Sequence, residues 1–364
     1  MSIIESQRIK TDGHEIVVGR HSLAEFAELL ATEPFAGVKI FILVDENTLK
    51  HCLPGLLGKV EILREAEVIE IDSGEESKSV EVSAQLWKVL GELGADRQSV
   101  LVNLGGGVIT DLGGFVAGTF KRGIRFFNIP TSLLAQVDAS IGGKVGIDLD
   151  HLKNEVGLYN NPNGVFVDPG FLSTLPRNQL LSGFAEMIKH ALICSPDYWQ
   201  VLKEISFYDT EQLDAVILRS ILLKNEVVSS DPYEQGRRKI LNFGHTIGHA
   251  IESHSFEGDM KALLHGEAIA MGMVCEAFLS HRKGLLTEAE LREISGLIFS
   301  LYPQVEIDQM RYHRIIELMR NDKKNRNGKL KFSLLHGIGD CVIDQELNAD
   351  IIIDSLNFYQ RWVG

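Results

Sequence analysis

What the sequence has little of narrows it first. Its four cysteines, Cys52, Cys194, Cys275 and Cys341, are scattered over 364 residues and form no C-x-x-C pair, which argues against a disulfide framework and a thiolate zinc site. A reducing, cytoplasmic setting is expected. No apolar run approaches the roughly 20 residues needed to cross a bilayer, and the opening MSIIESQRIK lacks the charged-then-apolar layout of a signal peptide. Positive charge is scarce too: 36 Lys and Arg stand against 50 Asp and Glu, a formal net charge of −14. A nucleic-acid binder needs a basic face to meet phosphates, so neither nucleic acid nor membrane is expected as a partner. An anionic small molecule bound by this chain requires a locally basic pocket.

What is present falls into two parts, as the length also favours. Up to about Asp168, short β-rich runs alternate with helical patterns, which predicts βαβ units in a parallel sheet. Val38 to Val44, Ser99 to Leu104 and Arg125 to Ile129 read as buried strands, and Val80 to Leu93 as a helix ended by Gly94. Beyond Pro176 helical periodicities dominate, as in Gln179 to Ile193 and Leu213 to Val228. The expected architecture is an α/β, Rossmann-like nucleotide-binding domain over 1–176 followed by an all-α domain over 177–364.

Three segments of the first part carry chemistry. In LGGGVITDLGGF (104–115) three glycines follow a strand and precede a helical stretch, where bare backbone N–H groups and a helix N-terminus can meet a pyrophosphate. The pattern is not G-x-G-x-x-G, and a tight turn is the bland alternative. Asp45 and Asn47, just past an earlier strand, are placed to take ribose hydroxyls, although Asp at a strand end is often only a cap. The segment 129–157 sets Asp138, Lys144, Lys153 and Asn154 around Gly142 and Gly143, so that cations can approach phosphate or carboxylate oxygens.

In the helical part Glu186 lies mid-helix in GFAEMIKHALI. His245 and His249, four apart in LNFGHTIGHAIE, share one helix face, and His265 opens a further helix at LHGEAIAMGM. One Glu and two His from three helices make a three-ligand site with an open position, the arrangement of catalytic zinc. That makes the helical half the metal-binding domain. Gly244, Gly248, Gly266 and Gly272 let helices approach at a cost in helix propensity. His190, four after Glu186, competes for the ion. Lys224, Glu234, Arg238 and Asn242 read as supporting and substrate contacts, and the basic run 319–332, with Lys323, Lys324, Arg326, Lys329 and Lys331, as a cationic turn beside an anionic substrate.

Taken together, GGGVITDLGGF, KRGIRFFNIPTSLLAQVDASIGGK, LKN, FLSTLP, GFAEMIKH, RRKILNFGHTIGHAIE, LHGEAIAMGM and NDKKN resemble the 3-dehydroquinate synthase family from about Asp45 to Leu335. The resemblance implies Glu186, His245 and His265 as ligands of a divalent metal, zinc or cobalt, with His249 in catalysis. It implies NAD contacts at Asp45, Asn47, Ser73, Gly74, Glu75, Glu76, Ser77, Lys78, Gly107, Val108, Ile109, Thr110, Asp111, Thr131, Ser132, Lys144, Lys153, Phe171, Leu172, Ser173 and Thr174. Substrate contacts are implied at Asp138, Lys144, Asn154, Lys189, Lys224, Arg238, Asn242 and Lys324 or its neighbour Lys323. Arg122 would reach the substrate phosphate from the partner subunit of a homodimer. The family pattern differs here at Ser132, where a second Thr is common, and at His190 and Ala191, where Tyr-Gly is common; residues 254–263 are also longer than in many members.

The reaction so implied oxidises the C5 alcohol of 3-deoxy-D-arabino-heptulosonate 7-phosphate on NAD, eliminates phosphate, returns the hydride and closes the ring by an aldol step. Two enzyme alternatives share parts of this inventory. A metal-dependent polyol dehydrogenase leaves Lys144, Lys153, Lys189 and Arg238 without a purpose, and other sugar-phosphate cyclases act on substrates lacking the carboxylate that Arg238 and Asn242 would hold. A non-catalytic nucleotide-binding module has no use for the Glu/His/His set.

Overall fold

The structure is a computed structural model and describes residues 6–11, 13–149, 152–206, 210–257, 262–321 and 330–363. The first half contributes the strands β1 (Gln7–Lys10), β2 (Glu15–Val18), β3 (Ile40–Asp45), β4 (Glu67–Ile71), β5 (Val100–Gly105), β6 (Arg125–Pro130), β7 (Lys144–Leu149), β8 (Leu152–Tyr159) and β9 (Gly164–Val167). Seven of them build one sheet in the order β1-β2-β9-β6-β5-β3-β4. The β1–β2 pair is antiparallel and the other pairings in this sheet are parallel.

The central strands are apolar almost throughout because a parallel sheet is covered on both faces. Along β3, Ile42 and Val44 join Val102, Phe127 and Phe166 in one layer, while the alternate residues Phe41 and Leu43 join Leu101, Phe126 and Ile109 in the other. From β3 the chain moves outward to β4, then returns to place β5 on the other side of β3. Such a reversal leaves a crevice outside the carboxyl ends of the strands. Asp45 ends β3 there and Gly105 ends β5.

The segment that follows Gly142 and Gly143 folds as an antiparallel ribbon of β7 and β8. The chain divides into two compact units, 1–180 with 210–225 and 181–209 with 226–364. The single cut expected at residue 176 therefore misassigns most of the helix Thr210–Ser230. Its Asp214 pairs with Arg20 at 3.0 Å, and its Lys224 donates to the Asp138 carboxylate at 2.6 Å, which ties it to the sheet unit.

The second unit is helical but not all-α, and that expectation is corrected: β10 (Leu330–Leu335) and β11 (Cys341–Leu347) form an antiparallel hairpin. Leu330, Phe332 and Leu334 alternate with Lys331 and Ser333, the period of a half-buried strand. Side chains fasten the hairpin to the helices, with Ser333 Oγ donating to the Lys239 carbonyl at 2.7 Å and Leu335 N donating to Ser280 Oγ at 3.0 Å.

Candidate active site

Four side chains of the second unit converge. Glu186 is fully buried in the helix Arg177–Cys194, His245 and His249 lie one turn apart on His245–Ser255, and His265 is the first residue of His265–Arg282. Glu186 Oε1 is 3.5 Å from His245 Nε2 and 3.6 Å from His265 Nε2. The three imidazoles are packed together, with the His249 ring 5.0 Å from that of His245 and 5.7 Å from that of His265. Each of the three offers a nitrogen within 4.8 Å of the others.

Glycine makes this approach possible. A Cβ on Gly272 would sit 1.9 Å from the Gly244 carbonyl oxygen, and one on Gly266 would sit 2.1 Å from that of Ser182. Any side chain at either position forces the histidine-bearing helices off their neighbours.

The remaining nitrogens of the two outer histidines are anchored. His245 Nδ1 is 3.0 Å from the Phe243 carbonyl and His265 Nδ1 is 3.4 Å from the Glu252 carboxylate. With Nε2 deprotonated, the two imidazoles would turn their lone pairs toward the same place as the Glu186 carboxylate oxygen, a donor set that suits zinc or cobalt. Burial and the nearby Lys189 ammonium hold His245 well below its ordinary pKa, so it stays a neutral donor. For His265 burial also opposes protonation, but the Glu252 and Glu186 carboxylates outweigh it and push the pKa up to about 10. The carboxylates thus call for a positive charge at this point. Lys189, one turn from Glu186 and equally buried, supplies one by pairing with it.

In the first unit most of the residues read as dinucleotide contacts lie at or after the carboxyl ends of the sheet strands, while Lys144 and Lys153 lie on the β7–β8 ribbon. Gly107 begins the helix Gly107–Thr119, whose first turn includes Val108, Ile109 and Thr110, with Asp111 next along the helix. Thr131 and Ser132 follow β6, and the Thr131 amide donates to the Gly105 carbonyl at 2.9 Å. Ser73 and Gly74 lead into a short helical turn, Glu75–Ser77, that contains Glu76. The buried Lys78 that follows donates to Asp111 at 2.7 Å and also bonds the Asn154 side chain. Burial alone would favour the neutral amine, but the Asp111 and Glu75 carboxylates keep its pKa above the usual lysine value. Lys153 reaches Glu75 at 3.5 Å, and Asn154 adopts a left-handed φ of 53° in β8. Asp45 caps the helix Glu46–His51, its carboxylate accepting from Thr48 N at 2.7 Å. Asn47 lies in that helix, and Phe171, Leu172, Ser173 and Thr174 lie in the turn Pro169–Thr174.

A third group lies ahead of His245. The Asp231 carboxylate accepts from the amides of Gln235, Gly236 and Arg238, at 3.0, 2.7 and 3.1 Å, and folds this loop into a fixed turn. The buried Arg238 guanidinium donates to the Pro232 carbonyl at 2.6 Å, and Asn242 Nδ2 donates to Glu234 at 2.7 Å. Sequence profiles described as "3-dehydroquinate synthase N-terminal" and "3-dehydroquinate synthase C-terminal" match residues 68–182 and 183–325. A 3-dehydroquinate synthase from Parabacteroides distasonis is 43% identical over 96% of this chain and 99% of its own. The chain belongs to the 3-dehydroquinate synthase family.

Solved structures agree with this assignment. A 2-epi-5-epi-valiolone synthase from Streptomyces hygroscopicus, with NAD+ and Zn2+ bound, has a TM-score of 0.82 and 26% identity, covering 97% of this chain and 98% of its own. A 2-deoxy-scyllo-inosose synthase complexed with carbaglucose-6-phosphate, NAD+ and Co2+ has a TM-score of 0.79 and 27% identity, covering 96% and 99%. The family read from the motifs is thus the family found.

The remaining residues that the family resemblance singles out stand as follows. Lys144 begins β7 and is exposed. Arg122 is exposed too, in a left-handed turn with φ of 68°. Lys323 and Lys324 lie outside the described residues, while Lys331, read as part of the basic turn, sits on β10 and faces Asp344 at 3.6 Å. His190 is buried on the Glu186 helix. On the two histidine-bearing helices, two buried carboxylates were not singled out, Glu252 beside His265 and Glu276, which accepts from the Gly244 amide at 2.7 Å. For Glu252 a signal existed, since it lies seven residues after His245 on the same helix face. Glu276 gave none, because its partner is the start of another helix.

Proposed function

We propose that the chain converts 3-deoxy-D-arabino-heptulosonate 7-phosphate to 3-dehydroquinate and inorganic phosphate, using NAD and a divalent zinc or cobalt ion. The observation that carries this reading is the convergence of Glu186, His245 and His265 in a chain 43% identical to a 3-dehydroquinate synthase over nearly its whole length. When bound, NAD supplies reversible two-electron oxidation of an alcohol and the ion supplies Lewis-acid polarisation of that alcohol.

The rest is the work of this chain's own groups. Glu186, His245 and His265 would hold the ion, with the Phe243 carbonyl beside His245 and Lys189 beside Glu186. The sheet unit would hold the dinucleotide, the amides that open the Gly107–Thr119 helix being suited to a pyrophosphate and Asp45 to a ribose. Arg238 offers a forked donor to the substrate carboxylate, and Asn242 assists it. Lys144, Asn154, Lys189, Lys224 and Lys324 take up further oxygens, and Asp138 orients Lys224. His249 moves a proton at the reacting carbons. We place the enzyme in the cytoplasm as a homodimer, in which the exposed Arg122 meets the substrate phosphate of the partner subunit. Incubation with the heptulosonate phosphate tests the reading: 3-dehydroquinate and phosphate are expected in equal amounts, and the absence of either product overturns it.

A further inference from the structure

Two buried carboxylates are exchanged between the helices that carry the histidines. Glu252, on His245–Ser255, is 2% exposed and lies 3.4 Å from Nδ1 of His265 on the neighbouring helix. Glu276, on His265–Arg282 and 0% exposed, reaches the other way and accepts from the amides of Gly244 at 2.7 Å and Ile247 at 3.1 Å. A carboxylate is strongly disfavoured in a protein interior unless it is paired or hydrogen-bonded. Glu276 is accounted for by the helix it caps: the start of His245–Ser255 has no side-chain cap from its N-cap residue, and its buried first N–H groups and positive dipole end suit an anion.

Glu252, by contrast, meets an imidazole. His245, His249 and Glu252 stand at i, i+4 and i+7, so one face of a single helix presents two imidazoles and the carboxylate beside a third. An imidazole that donates its Nδ1 proton to a carboxylate is locked in one tautomer, presents Nε2 as a lone pair and is a stronger donor to a metal. That Nε2 is the atom 3.6 Å from Glu186.

We infer that Glu252 is a positioning residue for the metal centre, fixing the tautomer and orientation of His265 while Glu276 keeps the two histidine helices in register. The inference rests on the metal reading proposed above. To test it, chelator-stripped protein is titrated with Zn2+ against a chromophoric competitor, and with Co2+ while its visible absorption is recorded. Wild type, Glu252→Gln and Glu252→Asp are compared, each checked for the melting temperature of the stripped form and for NAD binding.

Glu252→Gln is expected to bind Zn2+ about 10–100-fold more weakly, as partners of metal-bound histidines do when altered, and to shift the Co2+ bands. Its stripped form should melt and bind NAD as wild type does. Wild-type Zn2+ affinity together with an unchanged Co2+ spectrum overturns the role. Should Glu252→Gln also lower the stripped melting temperature, Glu252→Asp decides, because it keeps the charge on a shorter stem. Partial recovery of affinity and of the Co2+ bands supports positioning, and affinity that follows stability alone overturns it. Wild-type protein that binds neither ion refutes the metal reading itself, a separate outcome.

Discussion

At the scale of single residues, chemistry that depends on residue type and helical spacing was open to sequence, and chemistry that depends on pairing between elements was not. Glu186, His245, His249 and His265 could be singled out from type, spacing and small neighbours, and the structure brings all four together. Asp45 could be read both as a ribose contact and as a cap; the structure shows the cap, with one carboxylate oxygen engaged by Thr48. Geometry alone offers three imidazoles to one ion, so ligand and catalyst must be separated by experiment. Glu186→Gln removes the anionic donor and is expected to weaken zinc by more than the ~10–100-fold seen on altering an outer partner. His249→Ala is expected to keep stoichiometric zinc and lose about 10²–10⁴ in turnover, the usual share of a general acid or base. Elemental analysis beside turnover measures both, and a His249→Ala protein as poor in zinc as Glu186→Gln moves His249 into the ligand set.

At the scale of elements, buried strands and long helices were legible because their periods are strong: Val100–Gly105, Arg125–Pro130 and Arg177–Cys194 lie where apolar spacing puts them. The β7–β8 ribbon was obscured by Gly142 and Gly143, which break the strand pattern, and the β10–β11 hairpin by the charge of the run before it. Helix packing has a sharper test, because two helix glycines differ only in their surroundings. A Cβ on Gly272 would meet backbone, 1.9 Å from Gly244 O and 2.7 Å from Gly248 N, whereas on Gly296, within Glu288–Leu301, it would meet nothing within 4 Å. Gly272→Ala is expected to cost about 1–3 kcal/mol or more by overpacking and to weaken metal binding by separating His245 from His265. Gly296→Ala should gain about 0.4–1 kcal/mol by restricting the unfolded chain. Urea denaturation of the two proteins checks both signs, and equal effects would mean that the close approach carries no energetic weight.

At the scale of the molecule, a sheet unit and a helical unit were legible from the change of period near residue 176, but not the return of Thr210–Asn225 to the sheet unit, which rests on contacts far apart in sequence. The family, too, was legible, since its motifs run in order along the chain. What separates a cyclase from a dehydrogenase of related inventory is the fate of the electrons. An enzyme that oxidises an alcohol, eliminates phosphate and reduces the product again in one turnover returns its NAD unchanged, so catalytic amounts of NAD should support many equivalents of phosphate with no net NADH. A polyol dehydrogenase must convert one NAD for each substrate consumed. The basic and amide groups that the proposed function gives to the substrate, among them Lys189, Arg238 and Asn242, are more than a neutral polyol needs and suit a substrate that carries a carboxylate and a phosphate. With NAD held well below substrate, phosphate release is expected to run to completion while absorbance at the NADH band returns to its starting value. NADH accumulating in proportion to product, without phosphate, would assign the chain to dehydrogenation, because the second transfer would then be missing.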